Sequence, residues 1–174
     1  MQGKVCLVTG ATNGIGEVTA HEIAKMGAQV VIVGRNPQKT AQVVNEIKTK
    51  SGNQKVDSII ADLSVGADVM KVAELFKARY NRLDVLVNNA GALILTREIT
   101  SDGLEMTFAL NHMSYFTLTN ALLDMLKASG TSQHKARIVN VSSVLHSAYP
   151  MDFDNLQSTK RPFNGHGAYS RSKL

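Results

Sequence analysis

The sequence predicts one α/β domain, a doubly wound parallel sheet with helices on both faces. Two features point to it. Five short apolar runs alternate with helix-like stretches along the chain, and the first run closes in a glycine-rich turn that opens a helix. The length of 174 residues suits a single domain over 1–174 and allows a sizeable core. With 44% hydrophobic and 19% charged residues, the composition sets general disorder aside.

Each element has its own reason. Residues 5–8 are a continuous apolar run closed by Gly10, as expected of a strand buried on both faces. Residues 15–26 read as a helix ended by Gly27. Residues 29–33 are a second, β-branched run. Pro37 stands where a helix can begin, with Ala41, Val44 and Ile47 near one face. Residues 56–61 form the third strand, and Ser64 is placed to cap the next helix. There Val69, Val72, Ala73 and Phe76 make one apolar stripe. Residues 85–87 are the fourth strand. A long helix is expected from about 103 to 128, with Leu118, Leu122 and Leu126 in register, and 138–141 is the fifth strand. Residues 144–166 are a long polar connection of the kind that often carries function. A last helix starts near Gly167.

The formal charge of +5 describes a mildly basic surface or a site for an anion such as a phosphorylated cofactor. No extended Lys/Arg run or aromatic interleaving suggests nucleic acid. One cysteine, Cys6, allows no internal disulfide, which fits a reducing, cytoplasmic setting. No stretch is long and apolar enough for a membrane span. Met1 lies too close to the first strand to leave room for a signal peptide. The histidines form no metal pattern.

The first strand ends in Thr9-Gly10-Ala11-Thr12-Asn13-Gly14-Ile15-Gly16. Gly10 permits a tight turn, Gly14 a close approach to a pyrophosphate, and Gly16 close packing of helix on sheet. The helix N-terminus then offers free N–H groups to phosphates. The second strand ends in Gly34-Arg35-Asn36, with no carboxylate between Glu22 and Glu46, which makes Arg35 and its neighbour Asn36 candidate cofactor contacts. A guanidinium there can bind a ribose 2′-phosphate, which a carboxylate would repel, so NADP(H) is favoured over NAD(H). A solvated surface arginine is the plainer alternative. Asp62-Leu63 follows the third strand, where Asp62 could bond an adenine amino group or cap the next helix. Asn88-Asn89-Ala90-Gly91 follows the fourth and could equally be an ordinary turn.

Tyr169 and Lys173, at i and i+4, share one face of a helix. A nearby ammonium favours the phenolate, as would an oxidised nicotinamide, and the phenol can then protonate a carbonyl or take a proton from an alcohol. Ser142-Ser143 closes the fifth strand, where open α/β sheets place ligands, although two serines there could be simple turn chemistry. Asn111 is a poor residue for mid-helix. It could hold a water relaying protons from Lys173, or be a tolerated polar residue.

In this order the motifs resemble the short-chain dehydrogenase/reductase family, a Rossmann-fold group. The resemblance implies that Tyr169 is the general acid/base and that Lys173 assists it and holds the nicotinamide ribose. Ser143 would orient the substrate oxygen, Asn111 support a water relay, and Asn89, Ala90 and Gly91 line the cofactor cleft. The stretch from Asn111 to Asn120, with Ser143-Val144-Leu145-His146 and the long gap before Tyr169, is similar to the retinol dehydrogenase-like branch. That implies a lipophilic carbonyl or alcohol as substrate, and the family is often dimeric. Family members usually continue past the lysine with further strands and a substrate-binding segment, so the domain reads as incomplete at its C-terminus, with an uncovered fifth strand. The competing function is a non-catalytic dinucleotide-binding redox sensor or an interaction module. The isolated 174-residue chain is expected to be poorly active. Hydride transfer from NADPH, compared between this chain and a version carrying the continuation, tests that. Equal turnover would contradict it.

Overall fold

The computed structural model describes residues 1–174. Five strands, β1 (Val5–Thr9), β2 (Gln29–Gly34), β3 (Val56–Ile60), β4 (Val85–Asn88) and β5 (Arg137–Asn140), lie parallel in the order β3-β2-β1-β4-β5. The continuous apolar runs have a simple cause. Side chains alternate across a strand, and both faces are covered. Leu7, Val31 and Val33 face one layer, where Phe76, Leu118 and Leu122 complete a core. Cys6, Val8, Val30 and Ile32 face the other, against Ala20, Ala24, Val43 and Ile47. The first layer is made by α3 (Gly66–Arg79) and α5 (Ser114–Ser129), the second by α1 (Gly14–Lys25) and α2 (Pro37–Ser51).

The chain leaves β1 towards β2 on one side and returns to β4 on the other. The strand order therefore reverses between β1 and β4, and a crevice opens at their C-terminal ends. β5 pairs only with β4, and all four of its residues are exposed.

Several local expectations are corrected. Ala41 is exposed, and Thr40 and Val43 join Val44 and Ile47 on the buried face of α2. Ser64 does not cap α3. Its hydroxyl turns back to Asp62, while the α3 N-terminus receives a carboxylate from a distant loop, with Gly66 N–H donating to Asp102 Oδ2 at 2.6 Å. The long helix begins later than residue 103, at α4 (Met106–Phe108). Buried Glu105 starts it by accepting from the Thr107 and Phe108 N–H groups, each at 2.9 Å. A π-helical turn, Ala109–Met113, joins α4 to α5. The last helix, α6 (Gly165–Ser172), starts at an Asn164 cap, and Lys173 is its C-terminal cap rather than a residue of its body.

At the far end of the sheet, buried Asp84 ties β1 to β4. It accepts from Val5 N–H at 2.9 Å, from Lys4 Nζ at 3.1 Å and from Arg82 Nε and Nη2 at 2.8 and 2.6 Å. Burial pushes the Asp84 carboxyl up, but the bonds from Arg82, Val5 and Lys4 outweigh it and hold the group below the usual carboxylate range. A depressed folded value means that this stability is present at neutral pH and is lost as pH falls through that value. Asp84→Asn should therefore lower stability at pH 7 by roughly 1–3 kcal/mol, with the difference shrinking in acid. Urea unfolding at neutral and acidic pH measures it. Equal midpoints at pH 7 would contradict this role.

Candidate active site

A cleft of about 820 Å³ runs along the C-terminal ends of the strands, from Arg35 at one end to Tyr169 and Lys173 at the other. Its floor is a clamp between the turns after β1 and β4. Thr9 Oγ1 accepts from the N–H groups of Asn89 at 2.9 Å and Ala90 at 3.0 Å. The Asn89 side-chain amide donates to the carbonyls of Thr9 at 2.9 Å and Gly10 at 3.1 Å. This closeness dictates glycine. Gly10 has φ +63°, and a Cβ on it would lie 2.6 Å from the Ala90 Cα. A Cβ on Gly16 would collide with the Asn89 amide and the Gly10 carbonyl. Thr12, Asn13, Gly14 and Ile15 line the cleft at the start of α1. Asn13 makes no side-chain cap there, so the first-turn N–H groups of α1 are left without a side-chain partner beside the cleft.

At the β2 end, Arg35 is exposed and its guanidinium lies 3.5 Å from Asp62. Burial pushes the Asp62 carboxyl up, but two bonds from Ser64 and the charge of Arg35 outweigh it and hold the group below its ordinary value. So exposed a pair contributes little to stability, which leaves Arg35 free to take another anion. Asp62, Leu63, Ala90 and Gly91 line the cleft as expected. Asn36 does not. Its side chain accepts from Lys39 N–H at 2.9 Å and caps α2.

At the other end Ser142, Ser143, Tyr169 and Lys173 line the same cleft. The paired serines divide their work. Ser142 Oγ donates to the Lys173 carbonyl at 2.6 Å and secures the end of α6. Ser143 Oγ accepts from Leu145 N–H at 3.2 Å and keeps a hydroxyl proton to donate. Asn111 lies behind the cleft wall. A Cβ on Gly91 would sit 3.0 Å from its Oδ1 and 3.2 Å from Lys173 Nζ. Asn111 Oδ1 accepts from Ala92 N–H at 2.9 Å, and its Nδ2 donates to the Ala92 carbonyl at 3.0 Å and Ser172 Oγ at 2.9 Å. With both amide hydrogens used, the side chain braces the loop after β4 against α6. The π-helical turn around it explains how an asparagine sits within this helical run.

Lys173 is buried, and burial pulls its ammonium below the ordinary lysine value. Nζ donates to the Val141 carbonyl at 2.9 Å and to Tyr115 Oη at 3.1 Å. Sequence reasoning gave no role to Thr9, Ser172 or Tyr115. Thr9 directly precedes the glycine turn and Ser172 lies between Tyr169 and Lys173, so their positions were a usable signal. Tyr115 meets Lys173 only through the tertiary fold.

A family model described as short chain dehydrogenase matches residues 4–173. Human polyprenol dehydrogenase is 42% identical over 171 residues, covering 98% of this chain and 52% of the relative. Human retinol dehydrogenase 11 is 43% identical over 174 residues, covering 100% of this chain and 53% of the relative. The chain thus spans about half the length of the curated relatives it matches. Among solved structures, the Pseudomonas aeruginosa RhlG/NADP active-site complex superposes with a TM-score of 0.79 at 29% identity, covering 99% of this chain and 62% of that one. A glycine turn clamped to the loop after β4, and Ser143, Tyr169 and Lys173 lining one cleft, therefore stand in a chain that belongs to the short-chain dehydrogenase/reductase family of oxidoreductases, in its retinol dehydrogenase-like branch.

Proposed function

We propose that the protein transfers hydride between NADP(H) and a lipophilic carbonyl or alcohol. The observation that carries this is one continuous cleft lined by the glycine turn, by Arg35 and by Tyr169, Ser143 and Lys173. The residues fit a dinucleotide. Gly10 and Gly16 leave no room for side chains where the backbone must approach closely, and the α1 N–H groups suit a pyrophosphate. Asp62 and Leu63 suit the adenine end, and Asn89, Ala90 and Gly91 the nicotinamide end. When bound, the cofactor supplies or takes the hydride.

The chain's own residues would manage the proton. Tyr169 gives its hydroxyl proton to a carbonyl oxygen, or accepts one from an alcohol, while Ser143 donates a hydrogen bond that holds that oxygen in place. Lys173 sets a positive charge beside the phenol and stabilises negative charge developing on its oxygen. Asn111 keeps the Gly91 loop and α6 in register. The preference for NADP(H) rests on Arg35 and is supported by the NADP complex of the similar RhlG structure. A lipophilic substrate is supported by the names of the polyprenol and retinol relatives, and by exposed Leu93 and Val144 at the catalytic end. A cytoplasmic setting is part of the same reading and rests on one buried, unpaired Cys6.

Tyr169→Phe should reduce turnover by about 10²–10⁴-fold with NADPH affinity unchanged. Steady-state kinetics together with NADPH fluorescence titration measure both. Undiminished turnover would overturn the role of Tyr169, whereas NADPH binding with no turnover in the wild type would favour a dinucleotide sensor. Arg35→Ala should weaken NADPH binding by about tenfold or more while leaving NADH nearly unaffected. Equal losses for the two would refute the 2′-phosphate role.

A further inference from the structure

Lys173 poses a problem of electrostatics. Its ammonium is buried, yet no carboxylate lies within ion-pair distance of it. A buried charge is costly unless its hydrogens find partners. Of three N–H donors, one goes to the Val141 carbonyl and one to the Tyr115 hydroxyl, and the Tyr115 ring centroid lies 4.9 Å from Nζ. One donor is left for the cleft. Tyr115 comes from α5 and lines a second hollow of about 400 Å³, whose lining also includes His112, Asn140, His146 and Lys173; Lys173 lines the cleft as well. The titratable groups around the ammonium are thus Tyr115 from α5, to which it donates, Tyr169, which lines the same cleft, and His112 and His146, which line the hollow. Burial, and then the neighbouring Tyr169, hold the Tyr115 phenol above its usual value, so it is a neutral acceptor.

We infer that Tyr115 is a positioning residue for Lys173: its hydroxyl and ring hold the ammonium charged and aim its remaining donor at the cleft. This rests on the oxidoreductase reading for its consequence in turnover, but the tie itself is a property of the free protein. Removing the hydroxyl takes one of two bonds from a desolvated cation, which then gives up its proton more readily. A residue that merely fills space would leave that titration unchanged.

The test uses the protein without cofactor. Lys173 is labelled with acetic anhydride across a pH series and its modification read by mass spectrometry. Tyr115→Phe, which keeps the ring, should lower the labelling midpoint by about one pH unit, and Tyr115→Leu, which loses the ring as well, by more. In turnover assays the alkaline limb of the kcat–pH profile should move to lower pH by the same amount in the Phe variant. Identical labelling midpoints in wild type and Tyr115→Phe would overturn the inference. Failure of the oxidoreductase reading would show separately, as no NADPH-dependent hydride transfer by the wild type, and would leave the labelling result standing.

Discussion

A buried ammonium with no counter-charge is the constraint around which this structure is arranged. Lys173 can stay charged only where backbone and side-chain dipoles replace water, and those come from several separate parts of the chain. Val141, just past β5, gives a carbonyl, Tyr115 on α5 gives a hydroxyl and a ring, and Gly91, after β4, gives the empty space. Ser142 fixes the backbone of Lys173 itself. The ends of β4 and β5, the π-helical turn and α6 must therefore converge on one point. Asn111 holds them there with three bonds to Ala92 and Ser172.

The fold supplies that convergence through its topology. Because the strand order reverses between β1 and β4, the crevice forms where the glycine turn and the Asn89–Gly91 loop meet. Thr9 and Asn89 clamp the two loops at that end, and Asp84 ties the same two strands at the other. The pair is thus secured at both ends, so the cleft is presented by rigid elements and not by free loops. Arg35 is held differently. It is exposed and only loosely paired with Asp62, as the proposed 2′-phosphate role would require.

How much of this was legible in the sequence depended on range. The inner strands β1, β2 and β4 are largely buried and leave continuous apolar runs; β3 and β5 at the edges are more exposed but keep short apolar runs, so all five were readable to within a residue or two. The α3 stripe, Val69 to Phe76, was buried as its spacing required. Local capping was harder. Ser64 had the chemistry of a cap, but Asp62 was a nearer partner and Asp102, remote in sequence, took the helix end. Asn36 looked like a cofactor contact because of its neighbour Arg35, but the helix it starts claimed its side chain. Asn111 stood out as an awkward helix residue, and the π-helical turn that accommodates it depends on packing that spacing does not reveal. Tyr115 lies 58 positions from Lys173, beyond the reach of any local pattern.

The central claim is that the glycine turn and the Tyr169–Lys173 pair serve one bound dinucleotide. A crystal structure of the protein with NADPH tests it most directly. The phosphates should lie against the Gly10–Gly16 turn, with the nicotinamide end beside Tyr169, Lys173 and Ser143. A nucleotide lodged elsewhere, or one whose nicotinamide end lies away from Tyr169, would contradict it.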